Sequence, residues 1–378
     1  MTNAYPLIIL GAGASYDSLE DHNQFSAAKQ AELKNWKPPL TNDLFDRARF
    51  DHILDKYPEA RYVDGEASYR IKPDHSLEDL LTDILKNKAP SHPEWYQRLM
   101  SFRLYLQELF AEITSKYFDK RNNYYRLISE IETHTAGRAC FVNFNYDLLL
   151  ERNISNIGST TDVDEYMNGS IKVLKIHGAY NWFRVIGRGH KTDGDFKSGK
   201  AQLIYLAKNI FQAEDGDSKI EVQLPRPTIR NEGPDWELYE DAHGGFPDEV
   251  KYYIPDIALP IHKKRDFVCP KEHVERFKKH FQSIDRVIII GWKAADEFLL
   301  SILKECLGNR PIIVVSHNSS DEIAKRLKDE YGFRAVPIQQ GFSDFLKSGN
   351  CAKVLSAENM DVLIQNEDFT SSNRAKII

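Results

Sequence analysis

Residues Leu7 to Ser18 read "LIILGAGASYDS", and the fold class turns on them. An apolar run stops at two glycines one residue apart, and a helix-compatible segment follows. A buried strand that ends at glycines and passes into a helix often holds a phosphate. The same pattern also makes a tight strand-to-helix turn with no ligand at all. What else the chain supplies decides between them.

Similar apolar runs recur at Ala139–Phe144, Ile171–Ile176, Val287–Ile290 and Ile312–Val315. They are short and rich in β-branched residues, which predicts strands covered on both faces, as in a doubly wound parallel sheet. Helical spacing is seen over Ser76–Lys86, Trp95–Tyr117, Tyr124–Thr133, Asp296–Leu307 and Asp321–Tyr331. Arg286–Tyr331 therefore reads as strand-helix-strand-helix, and the class is α/β with a Rossmann-like sheet. Residues 19–137 separate the first two strands and predict an inserted helical lobe. Residues 184–250 are polar, Gly-rich and Pro-containing, and predict an irregular insertion with short strands. The sheet domain is expected over residues 1–350, with 351–378 a weakly patterned tail.

The chain has 378 residues, enough for roughly two to three domain equivalents, and a formal net charge of −6. With a pI near 6.1, direct nucleic-acid binding is not expected as the main activity. The basic stretches His262–Arg265 and Arg276–His280 read as a solvated loop and a solvated helix face. No apolar run approaches the ~18 residues of a membrane span. The first twelve residues carry no Lys or Arg, the first being Lys29, so they do not read as a signal peptide. Cys140, Cys269, Cys306 and Cys351 lie far apart with no C-x-x-C pair. A reduced, cytoplasmic protein without a structural metal is expected.

Every expected strand ends in something polar or in glycine. The ends are Gly11-Ala12-Gly13-Ala14-Ser15, Asn143-Phe144-Asn145-Tyr146-Asp147, His177-Gly178, Gly291-Trp292 and Ser316-His317-Asn318. Ligands bind beyond the carboxyl ends of open parallel sheets, so together these ends define one candidate site. Singly each has a plainer reading, His-Gly as a turn and Asn-Tyr-Asp as a helix cap. Tyr16 stands where the dinucleotide fingerprint wants a third Gly or Ala, which argues against an ordinary dehydrogenase.

These residues together resemble the sirtuin family, in its bacterial defence branch of sirtuin-like NAD hydrolases. The family's Gly-Ala-Gly-x-Ser is matched by Gly11 to Ser15. Its Thr-x-Asn-x-Asp is matched by Asn143 to Asp147, with Asn143 in place of the threonine, and its His-Gly pair by His177 and Gly178. The late Gly-x-Ser appears as Gly291-Trp292-Lys293, without the serine. Protein deacylases of the family carry a four-cysteine zinc module between the His-Gly and the late glycine strand. Here that interval holds only Cys269, so the module is absent. The deacylases' Gly-Ile-Pro-Asp-Phe-Arg run is also missing, and "PPLTNDLF", Pro38 to Phe45, looks like the defence branch's version.

The resemblance implies NAD as substrate, water as acceptor, and no metal. It implies catalytic roles for Asn145 and His177, and a pyrophosphate cradle at Gly11, Ala12, Gly13 and Ser15. Further nucleotide contacts are implied at Gly291, Trp292 and Asn318. Asp17 and Asp147 are candidate ribose or water ligands, Asp147 alternatively a cap for a helix expected to begin at Leu148. An NAD glycohydrolase acting in anti-phage defence by NAD depletion is the first reading. An NAD-dependent protein deacylase and a non-catalytic sensor of NAD or ADP-ribose are the alternatives. Relatives of this compact kind imply control by a separately encoded regulator, such as a HerA-type ATPase or a short Argonaute, or by self-assembly. A homo-oligomer is expected through the stripe Trp95, Leu99, Phe102, Leu106 and Phe110, unless that helix is buried inside its own lobe.

Overall fold

The computed structural model describes residues 5–19, 25–70, 76–119, 121–186, 207–208, 211, 220–222, 239–240, 252–261 and 268–365. The basic stretch 262–265, most of the 184–250 insertion and the last thirteen residues of the tail lie outside them.

Six strands form one parallel sheet: β1 (Tyr5–Leu10), β2 (Ala139–Asn143), β3 (Ile171–Leu174), β8 (Ile284–Ile290), β9 (Ile312–Val315) and β10 (Ala335–Ile338). Their spatial order is β3-β2-β1-β8-β9-β10, with every neighbouring pair parallel. This is the doubly wound order, two halves running outward from the β1–β8 boundary, where the chain changes direction across the sheet. The five apolar runs are β1, β2, β3, β8 and β9, the first five strands of this sheet in chain order. Every residue of β1, β2 and β9 is buried, as strands covered by helices on both faces must be. The sixth strand, Ala-Val-Pro-Ile at the sheet edge, was not expected, because three of its four residues are only half-buried and its proline breaks the apolar pattern.

Between β1 and β2 the described residues are largely helical, as expected for 19–137. The long helix Glu94–Tyr117 is buried along most of its length, with Leu99, Phe102, Leu106 and Ile113 fully inside. The stripe expected to meet a second copy is therefore covered by this chain's own lobe, and that route to a homo-oligomer is withdrawn. The helix instead braces the sheet's carboxyl end. Gln107 Nε2 donates to the Tyr180 carbonyl at 3.1 Å, and Thr114 Oγ1 accepts the Leu148 N–H at 3.3 Å.

A second sheet joins β4 (Gly178–Ile186), β5 (Ile220–Val222), β6 (Tyr239–Glu240) and β7 (Tyr252–Ile257) in the antiparallel order β5-β4-β7-β6. Past residue 350, the helices Asn350–Ser356 and Met360–Gln365 place Cys351, Val354, Leu355 and Met360 in the core. The Arg286 guanidinium ties the first of them down through the Val354 carbonyl. Among the described residues, no helix is long and apolar enough to cross a membrane.

Candidate functional site

At the carboxyl end of the sheet the β1 and β8 turns interlock. Gly11 donates its N–H to the Ile290 carbonyl at 3.1 Å, and Gly13 donates to the Gly291 carbonyl at 3.0 Å. A Cβ on Gly11 would stand 2.5 Å from the Gly291 oxygen, and Gly291 itself has φ +61°, where an L side chain is strained. The opening question has a structural answer: the chain brings the Gly291-Trp292 backbone against that glycine turn. The N–H groups of Gly11 and Gly13 are therefore spent on this contact and are not free to cradle a phosphate, as the sequence had implied.

Asn145 enters from the β2 end. Its Nδ2 donates to the Gly11 carbonyl at 3.1 Å and approaches the Tyr124 hydroxyl at 3.5 Å. Its own N–H donates to Asn143 Oδ1 at 3.0 Å. With the amide nitrogen engaged, the carbonyl oxygen is the end of this side chain left to accept from a ligand.

His177 follows β3. The chain turns there at Gly178, with φ +71° and a would-be Cβ colliding with the Asp256 carbonyl, so only glycine fits. The His177 carbonyl accepts the Ala258 N–H at 3.0 Å. Its ring meets Phe144 edge-on, centroids 4.9 Å apart, and Phe144 stacks on Trp292 at 4.8 Å. Imidazole Nε2 lies 3.8 Å from Asp296 Oδ2, while Asp296 Oδ1 caps the helix Glu297–Cys306 by accepting the Leu299 N–H. One carboxylate thus closes a helix and faces the imidazole.

The structure brings Gly11, Gly13, Asn145, His177, Gly291 and Trp292 into one contact chain, turns Ser15, Asp17 and Asp147 to other partners, and leaves Ala12 half-buried at the start of the first helix. Ser15 is buried, its hydroxyl 2.9 Å from that of Tyr124, under the turn. Asp17 accepts from both the N–H and the hydroxyl of Ser343, at 2.9 and 2.7 Å, and so starts the helix Phe342–Lys347. Asp147 is buried and accepts the Leu149 N–H at 3.1 Å, closing a turn; the helix expected to begin at Leu148 is not formed, the next helical residues being the 3-10 turn Glu151–Asn153. The Asp147 carboxyl pKa is pushed up, chiefly by burial, against the pull of Lys175. Asn318 is exposed beyond β9 and makes no hydrogen bond to the other candidates among the described residues.

Sequence reading missed Tyr124, Phe144 and Asp296. Phe144 could have been found, as the one aromatic between two candidate asparagines. Tyr124 and Asp296 lay inside helical patterns, where nothing marked them. None of the four cysteines is in a disulfide, and no group of three or more His, Cys, Asp or Glu among the described residues is placed to hold a metal ion.

The fold and site together define a doubly wound α/β protein whose candidate residues meet at its topological switch point. No family model matches the chain, and no curated protein matches it. Solved structures similar to it include a triple mutant of a Sir2 homologue with 2'-O-acetyl ADP ribose, at 14% identity over 94% of each chain, TM-score 0.44. Another is a Sir2 homologue–NAD complex, at 14% identity over 93% of this chain and 91% of that one, TM-score 0.39. A Sir2 homologue mutant with ADP ribose matches at 13% identity over 94% of each chain, TM-score 0.43. Likeness this distant leaves the chemistry to the site's own geometry.

Proposed function

We propose that this chain is an NAD glycohydrolase, releasing nicotinamide and ADP-ribose. The observation that carries the reading is Asn145 seated on the glycine turn, with His177 linked to that turn through Phe144 and Trp292. The asparagine amide is fixed by the Gly11 carbonyl, and the imidazole lies against the rings of Phe144 and Tyr146. Those two groups suit the reaction. The bond between the ribose C1′ and nicotinamide breaks with its electron pair going to the pyridinium nitrogen, so nicotinamide leaves neutral and needs no acid. Water forms the new C1′–O bond and must lose a proton, which an imidazole can accept near neutral pH. The Asn145 carbonyl oxygen can orient that water or a ribose hydroxyl.

The motif resemblance supports the wider setting, NAD depletion in anti-phage defence. A hydrolase of that kind has to be restrained, so control by a separately encoded regulator, a HerA-type ATPase or a short Argonaute, or by assembly of copies, belongs to the same proposal. The cysteine spacing, with Cys269 alone between His177 and Gly291, supports a reaction that runs without zinc.

Nicotinamide release from NAD tests the reading, on the chain with and without its regulator and in the presence of a chelator. Asn145→Ala and His177→Ala should each lower the rate on the order of 10²-fold while the chain stays folded. Binding of NAD with no release would leave a sensor. Release that depends on an acetyl-lysine peptide would mark a deacylase.

A further inference from the structure

Lys175 has no exposed surface and Glu151 almost none. A buried ammonium persists only where its hydrogens find acceptors. Here Nζ donates to the Asp147 carbonyl at 2.6 Å and to Glu151 Oε1 at 2.9 Å. The same Oε1 accepts from Asn143 Nδ2 at 2.9 Å, and Asn143 Oδ1 accepts the Asn145 N–H at 3.0 Å. The loop that carries Asn145 is thus gripped before, at and after that residue by one network rooted in a single lysine. Lys175 stands two residues ahead of His177, and its carbonyl accepts the Gly178 N–H at 3.1 Å. The lysine therefore belongs to the segment that presents the imidazole, and its side chain holds the segment that presents the amide.

We propose that Lys175 is a positioning residue which, through Glu151 and Asn143, sets Asn145 in register with His177. This rests on the hydrolase reading and deepens it. Stability alone is a poor reason for the arrangement. Buried ion pairs can often be replaced by apolar residues at no loss, and Glu151 Oε2 is buried with no hydrogen bond among the described residues. Geometry is a better reason. An asparagine that must aim its carbonyl oxygen needs its backbone held, because displacement of about 1 Å can cost on the order of 10²-fold in rate.

Two variants test the network without leaving a lone buried charge. Lys175→Met combined with Glu151→Gln removes the ion pair, and Asn143→Ala cuts the link to Asn145 while keeping it. Each is measured for kcat and KM with NAD, and for hydrogen exchange at the Asn145 amide against the β1 amides. The expected result is a kcat lower by about 10²-fold, KM within roughly threefold, and Asn145 exchange faster by roughly tenfold while β1 is unchanged. Folded variants with wild-type kcat and wild-type exchange at Asn145 would overturn the proposal. If the double variant does not fold, Asn143→Ala decides. If the unaltered chain releases no nicotinamide, the hydrolase reading fails, and exchange at Asn145 still decides whether the network holds the loop.

Discussion

Asp147 shows how one buried side chain makes a prediction that an exposed one would not. Burial lifts its carboxyl above the ordinary range, with Lys175, the Leu149 N–H and Ser15 pulling the other way. A carboxyl whose folded pKa is raised favours folding most below the unfolded value, near ~3.9, and loses that contribution as pH rises through the folded value. Asp147→Asn keeps an oxygen to accept the Leu149 N–H and removes the titration. Urea unfolding followed from about pH 4 to pH 8 should show the variant gaining on the wild type as pH rises. A constant difference across that range would mean that Asp147 is not the titrating group. At this scale the sequence was half legible. Gly11, Asn145, His177 and Gly291 stood at strand ends, and strand ends converge by topology. Ser15 and Asp17 stood there too, but residue type does not say which way a side chain turns. Their partners, Tyr124 and Ser343, lie 109 and 326 positions away, beyond the reach of any local pattern.

The helix Glu94–Tyr117 carries the clearest lesson among the elements. Its apolar residues run around more than one face, which suits either a subunit contact or a central helix of a lobe. Periodicity cannot separate the two, since both bury the same side chains. Burial within the chain settles it: Leu106 is fully enclosed, and Phe110 packs edge-on against Tyr146, one residue past Asn145, with centroids 5.1 Å apart. Leu106→Ala should therefore cost about 2–5 kcal/mol, the range for a truncated core leucine. Denaturant unfolding measures it, and the loss should be equal at low and high chain concentration, because no second copy shares the face. A loss that grows on dilution would restore the helix as a subunit contact. The strands were easier to read. Five apolar runs bounded by polar ends left little choice, and only β10, with its proline and half-buried residues, escaped.

Across the whole molecule the switch point joins the two halves of the sheet. β1, β2 and β3 bring the glycine turn, Asn145 and His177, while β8 brings Gly291 and Trp292. A dinucleotide lying across that boundary would contact both halves, so its binding energy should add to the stability of the entire sheet. At a concentration about 100 times its Kd, a ligand that binds only the folded state contributes roughly 2.7 kcal/mol. For a chain of this size that amounts to a few degrees in the unfolding midpoint. ADP-ribose should produce the shift, since it keeps the part of NAD expected to lie along the turn, and nicotinamide alone should not. NAD is best tried on Asn145→Ala, where slow turnover leaves the ligand intact during the scan. That variant should still be stabilised, because the β1 and β8 turns on either side of the boundary are unchanged in it. Thermal unfolding with each ligand over a concentration series gives the answer. An unmoved midpoint with both NAD and ADP-ribose at millimolar levels would take the dinucleotide out of this cleft, and with it the hydrolase reading.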